Sequence, residues 1–452
     1  MIKKAVTGLT ALALGLSLAG CAPGANSGGG TDPDRQVITD PELIEPTTIT
    51  VLDYFPDAAS PLSRWMDAAQ AAFTEQYPNI TIERESQTFD DITKTLPLRL
   101  SDPSIPDVVP VNQGWQGLGT LGGEEGLLLN LDEYAAAYGW EDSLPETILA
   151  QHRVEPDNSA IGTGSIYGLP VNQGGFLTIN VNLDMLDRLG LEVPETFSEF
   201  EYAMRAAKAA GENGMMLGAA DSYGFYPLFS LLSALGDPDR VRDIVYGLGD
   251  ANVESAGLLT AAETFKGWVD EELITPDYTG ISFGDSFQNF LNGDGLFIVA
   301  GTDGLPFAAD ADTSGFGSFI LPRDDGSPIV ATGSAQTNFS IAENSGSPDA
   351  AALFLDFMSS AAAGQFAIDQ GISPLFGTFE PDTDSPFLND EIVTLSEITA
   401  TDGYLPYFDW STPTMLATVQ ATVSELLAGR ITANDLVAEV QANIDEFRNS
   451  KS

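Results

Sequence analysis

Apolar positions in the first folded stretch of the chain change period repeatedly. Residues 48–53, Thr-Ile-Thr-Val-Leu-Asp, are rich in β-branched side chains and read as a strand. Ser60-Pro61 then supplies a cap and a first-turn proline. Leu62, Trp65, Met66, Ala69, Phe73 and Tyr77 follow at helical spacing until Pro78 stops the run. A second strand is predicted at 79–83, a second helix at 90–100 and a third strand at 107–111. The order β-α-β-α-β implies a parallel sheet, because a parallel return needs a crossover helix. Ligands of such sheets sit beyond the carboxyl ends of the strands, which directs attention to the loops at 54–60 and 112–116.

The pattern restarts in the centre of the chain. Tyr167-Gly168-Leu169-Pro170 precedes a long apolar run, and the capping box Thr196-x-x-Glu199 opens a helix through Phe200, Met204 and Ala207 to Gly211. Strand-like 215–218 and 296–300 alternate with helices near 229–235 and 256–271, so a second α/β lobe is expected. Ser347-Pro348 starts a helix with Phe354, Leu355 and Met358 on one stripe. Thr412-Pro413 and Thr432 start two more, separated at Gly429. The chain carries no internal repeat and no heptad run.

Before residue 47 the pattern is of another kind. Lys3 and Lys4 precede an uncharged stretch over 5–18, as in a secretory signal too short to span a membrane comfortably. Leu18-Ala19-Gly20-Cys21 resembles the lipobox of bacterial lipoproteins, whose cysteine takes a diacylglycerol before cleavage on its amino side. Residues 1–20 are therefore expected to be a removed signal, and Cys21 a lipidated anchor to the cell membrane. Residues 21–46, with Gly28-Gly29-Gly30 and no aromatic side chain, are expected to be a flexible tether.

Composition narrows the chemistry. The chain has 452 residues, 18 Lys+Arg against 66 Asp+Glu, one His and one Cys. A formal charge of −48 argues against nucleic acid, which is held mainly by cationic side chains. A lone cysteine cannot close an internal disulfide, and with a lone histidine it cannot build a four-ligand zinc site. No metal and no cofactor is expected. Gly117-Leu118-Gly119-Thr120-Leu121-Gly122 matches G-x-G-x-x-G, but Gly123-Glu124-Glu125-Gly126 follows, with acids where a pyrophosphate would sit. Residues 310–315 open like a calcium loop, yet Leu321 stands where the bidentate Glu belongs. His152 lacks a nucleophile elbow to serve and is expected on the surface. The aromatics Trp115, Tyr223, Phe225, Tyr226, Tyr404, Tyr407 and Trp410 fall at or near predicted loops beside Asn, Gln and Asp, a mixture suited to sugar faces and hydroxyls.

The order of segments resembles the extracellular solute-binding proteins of the maltose and multiple-sugar group, capture subunits of bacterial ABC importers. The carrying segments are 71–80 (Ala-Ala-Phe-Thr-Glu-Gln-Tyr-Pro-Asn-Ile), Pro106-Asp107-Val108-Val109, Tyr167-Gly168-Leu169-Pro170, Asn182-Leu183-Asp184 with 190–200, 290–297 and 348–355. The resemblance implies a two-lobed periplasmic-binding-protein-like α/β fold, each lobe a mainly parallel sheet with flanking helices, and a ligand cleft between the lobes. It divides the chain into lobe 1, residues 47–173 and 335–372, and lobe 2, residues 174–334 and 373–452. It implies binding of a neutral sugar without turnover, a permease partner and a monomer.

Carried over position by position, the implied cleft wall is Asp57, Gln113, Trp115, Asn172 and Gln173 in the first lobe. In the second lobe it is Asp221, Tyr223, Phe225, Thr302 and Asp303, with Gln336 and Trp410 added. The sequence departs from the family at Thr302-Asp303, where an aromatic is usual, and at Val181, where a Tyr is usual. Few cations near these positions favour a neutral polyhydroxylated ligand, or a cation, over a uronate or phosphate. Two other readings stand beside this one: a secreted lipoprotein glycoside hydrolase using a carboxylate pair, and a surface interaction module without a small ligand.

Overall fold

The computed structural model describes residues 36–102, 105–172, 175–221, 223–301, 312–334, 337–374, 380, 383 and 386–451. The segment expected to be a signal, Cys21 and most of the expected tether lie outside these residues. Strand β1 (Thr47–Asp53) buries Ile49, Val51, Leu52 and Asp53. Helix α1 (Pro61–Gln76) begins where the Ser60 hydroxyl accepts the Ser63 N–H, and it buries Trp65, Met66, Ala69 and Phe73. Strand β2 (Ile80–Ser86) pairs parallel with β1 along its whole length, from Thr47 opposite Ile80 to Asp53 opposite Ser86. Helix α2 (Phe89–Leu100) starts at a Thr88 cap and contains Pro97 in its last turn. It leads to β3 (Val108–Pro110), parallel to β1.

Two further strands, β4 (Leu169–Asn172) and β10 (Thr337–Ile341), complete this sheet in the order β2-β1-β3-β10-β4. Strand β4 (Leu169–Asn172) leaves it for the second lobe, which is built on β5 (Thr178–Asn182), β6 (Met215–Met216), β7 (Phe297–Ala300) and β8 (Phe316–Phe319) in the order β8-β5-β7-β6. The capping box at Thr196 and Glu199 is present and starts α3 (Phe197–Ala209). Helices α4 (Tyr226–Leu235) and α5 (Leu258–Asp270) pack beside this sheet.

The chain crosses back through β9 (Ala331–Thr332), which pairs with β11 (Tyr404–Leu405), and enters β10 (Thr337–Ile341). Helix α6 (Pro348–Met358) buries its apolar stripe in the first lobe. Helices α7 (Met415–Leu427) and α8 (Ala433–Lys451) close the chain against the second lobe.

The two lobes and the α/β character agree with expectation, but the sheets are mixed. In the first, β10 runs antiparallel to both neighbours. In the second, β5 is antiparallel to β7 and β8, and the β6–β7 pair is parallel. The reason is connectivity: β10 returns from the other lobe and so enters its sheet from the opposite end to strands that depart toward the cleft. One core cluster is centred on Val51, Trp65, Phe73, Val108, Leu131 and Phe354. The other fills the second lobe and reaches into the first at Ile92, Leu96, Val111 and Trp115.

Candidate functional site

The carboxyl ends of β1, β3 and β4 open onto a cleft of about 510 Å³ between the lobes. Tyr54 follows β1, Asn112, Gln113 and Gln116 follow β3, and Gly175 follows β4. The facing wall carries Asp221, Tyr223, Phe225 and Tyr226, and the chain crossings add Ser334, Tyr407, Asp409 and Trp410. Aromatic faces dominate: Tyr223 is 40% exposed and leans on Phe283 and Tyr226 at 5.1 and 5.3 Å between ring centroids. Trp410 packs on Tyr407 at 5.3 Å, and the Tyr407 hydroxyl donates to the Gly175 carbonyl. Among the described residues no Lys or Arg lines the cleft.

Gly114 sets the contact between the post-β3 turn and the 408–411 turn. Its φ is +66°, and a Cβ there would lie 2.3 Å from Trp410 Cβ and 2.8 Å from the Trp410 carbonyl oxygen. That close approach brings Gln116 onto Asp409. The Gln116 amide Nε2 donates to Asp409 Oδ2 at 2.9 Å and to the Asp409 carbonyl at 2.6 Å. Asp409 is 6% exposed, and its Oδ1 has no hydrogen-bond partner among the described residues. Burial pushes its pKa up to about 6, only partly offset by the Gln116 bond. Asp409 thus carries a buried acceptor oxygen that no described residue satisfies, beside the cleft.

Gln113 is fixed from behind. Its Nε2 donates to Ser334 Oγ at 2.7 Å and lies 3.4 Å from His152 Nε2. The other His152 nitrogen is 2.8 Å from the Ile148 carbonyl, which can only accept, so Nδ1 carries the proton and Nε2 faces Gln113 as an acceptor. His152 is fully buried, contrary to the surface position expected, and burial holds its pKa down to about 4. A helix end beneath the cleft encloses it, which no local sequence signal marks.

Of the residues expected in the wall, Gln113, Asp221, Tyr223, Phe225 and Trp410 line the cleft together. Trp115 does not line it. Its indole is 1% exposed, meets Phe447 of α8 edge-on at 5.1 Å and lies under Lys451 Nζ at 4.2 Å. Asp57 is exposed and is not among the lining residues; its Oδ1 accepts the Ala59 N–H. Asn172 ends β4 opposite Thr337. Gln173, Thr302, Asp303 and Gln336 lie outside the described residues. Sequence reasoning missed Phe89, Ser334, Asp409, Leu416 and Gln420. Only Asp409 had a visible signal, being polar and adjacent to Trp410. The G-x-G-x-x-G glycines serve packing: Cβ atoms at Gly117 and Gly119 would lie 2.1 Å from the Asn112 carbonyl oxygen and 2.5 Å from the Trp115 ring. No cluster of three potential metal ligands occurs among the described residues.

A family model for bacterial extracellular solute-binding proteins matches residues 58–365, and the chain belongs to that family. A "Probable sugar-binding periplasmic protein" of Mesorhizobium japonicum is 25% identical over 207 residues, covering 45% of this chain and 47% of that relative. The chain thus spans about half the length of the curated relative it matches. Among solved structures, a chitin oligosaccharide binding protein superimposes with a TM-score of 0.72 at 20% identity, over 89% of this chain and 99% of that one. A solute-binding protein in complex with raffinose gives 0.66 at 18% identity, over 89% and 99%. These likenesses carry the two-lobed fold.

Proposed function

We propose that this protein captures a neutral sugar or oligosaccharide outside the cell and delivers it to the permease subunits of an ABC importer, closing its lobes on the ligand without chemical turnover. One observation carries the reading: the cleft joins aromatic side chains, Tyr223 and Phe89 exposed among them, with neutral amides and a buried carboxylate, and among the described residues no cationic side chain lines it. Aromatic faces stack on the apolar faces of pyranose rings, while amides and Asp409 bind hydroxyls. Among the described lining residues a phosphate or uronate would meet the carboxylates of Asp221 and Asp409 and no counter-charge. The sugar-binding names of the relatives support the same class.

Gln113, Gln116, Asp221, Tyr223, Phe225, Asp409 and Trp410 form the contact set, with Asn172, Gln173, Thr302, Asp303 and Gln336 in the places the resemblance gives them. Lobe 1 comprises 47–173 and 335–372, and lobe 2 comprises 174–334 and 373–452, a division supported by the strand membership of the two sheets. The protein works as a monomer held at the membrane by lipid on Cys21. A ligand that touches both lobes gains contacts in the closed state, so binding drives closure. A thermal-shift screen of mono-, di- and oligosaccharides is expected to raise Tm with at least one sugar, and small-angle scattering with that sugar to show a smaller radius of gyration. Release of a hydrolysis product would overturn the reading in favour of a glycosidase; no shift with any sugar would overturn the ligand class.

A further inference from the structure

A second chamber of about 160 Å³ opens off the cleft beneath α2. The two spaces share Tyr54, Phe89, Asn112, Gln116 and Leu416 as a common rim, so the chamber adjoins the cleft. Its wall is formed by Ile92, Leu96, Val111 and Leu121, each buried. Four polar side chains on the wall make hydrogen bonds within the protein. Thr93 Oγ1 donates to the Phe89 carbonyl and Thr120 Oγ1 to the Trp115 carbonyl, both at 2.8 Å. Asn112 Nδ2 donates to Gln116 Oε1 at 3.1 Å, and the Gln116 amide turns away to Asp409.

A sugar hydroxyl entering this chamber would give up water and meet polar groups bonded elsewhere, whereas an apolar group would gain from burial. The volume is close to the roughly 150 Å³ of an apolar protein cavity that accepts benzene. Phe89, 43% exposed at the shared rim, is otherwise an unexplained large apolar side chain on the surface.

We propose that the ligand is a glycoside whose apolar aglycone, an aryl ring or a short branched alkyl group, enters this chamber while the sugar occupies the cleft. The inference rests on the sugar-capture reading and specifies the ligand within it. The test is calorimetric titration of the intact chain with paired methyl and p-nitrophenyl glycosides of glucose, galactose, xylose and N-acetylglucosamine. For each sugar that binds as the methyl glycoside, the p-nitrophenyl partner is expected to bind about tenfold more tightly or better. Leu96→Trp fills the chamber and is expected to abolish that gain while leaving the methyl glycoside within about threefold of its original affinity. Thr93→Trp, at an exposed position on the chamber wall, gives a second variant should the first fail to fold. Methyl glycosides that bind without an aryl gain, or a gain that survives in a folded chamber-filling variant, would overturn the aglycone proposal alone. Failure of the glycosides and of free oligosaccharides alike would overturn the sugar reading beneath it.

Discussion

At the scale of residues, the cleft rests on two buried titratable groups whose pH effects oppose each other. The folded protein holds the Asp409 proton more tightly than the unfolded chain does, so this group makes stability fall as pH rises from about 4 to about 6. His152 binds its proton less tightly when folded, so it makes stability fall as pH drops from about 6.5 to about 4. Asp409→Asn keeps an acceptor for Gln116 and removes the first effect. Its melting profile is expected to match the parent near pH 4 and to rise above it beyond pH 6, by on the order of 2–3 kcal/mol. An unchanged difference across that range would show that Asp409 is not held protonated by burial.

Trp115 makes a different point at the same scale. Because its ring is packed between the first lobe and α8, Trp115→Ala is expected to lose about 3–5 kcal/mol of stability, with affinity for the proposed sugar ligand near that of the parent. A denaturant melt beside a titration separates the outcomes. The sequence places Trp115 in a loop after a strand, which is correct. Which way the indole turns depends on Phe447 and Lys451, more than three hundred residues away, and no local pattern carries that.

At the scale of elements, the legible parts are those whose stabilising groups are local in sequence. The Ser60 cap, the Thr196–Glu199 box and the stripe of α1 all appear where their spacing places them. The mixed pairing of the sheets was not legible, because it depends on which strands return from the other lobe. Gly114 belongs to this scale too, since it fixes one turn against another. Gly114→Ala would force a left-handed backbone on a residue with a Cβ and press that Cβ into Trp410. A loss of about 1–3 kcal/mol is expected, with weaker binding of the proposed sugar ligand as the 408–411 turn shifts and takes Asp409 and Trp410 with it. A folded variant with unchanged affinity would mean that the turn tolerates displacement without disturbing the cleft.

At the scale of the whole molecule, charge is the dominant unexplained feature of the sequence, and it has a direct physical consequence. There are 66 acidic and 18 basic side chains, so even one-to-one pairing of every cation leaves 66 − 18 = 48 acids uncompensated. The ion pairs are mostly at the surface, as at Arg205 with Glu201 and Glu271, Lys266 with Asp270, and Arg430 with Glu425. Such pairs contribute little each, about 0–1 kcal/mol, and salt weakens them. Repulsion among the excess acids is longer in range, and salt weakens it as well, in the stabilising direction. The Debye length shortens from about 30 Å at 0.01 M to about 3 Å at 1 M, a range that removes most coupling between charges spread over two lobes. Because the uncompensated acids outnumber the pairs, the repulsive contribution is expected to win. Tm of the protein should therefore rise steadily as sodium chloride is raised from about 0.01 M to about 1 M. The same scan in sodium bromide separates screening, which depends on ionic strength, from salt-specific strengthening of apolar burial, which differs between anions. A Tm that stays flat or falls in both salts would mean that the acids lie far enough apart, or close enough to their few partners, for self-repulsion to contribute nothing to the stability of the fold.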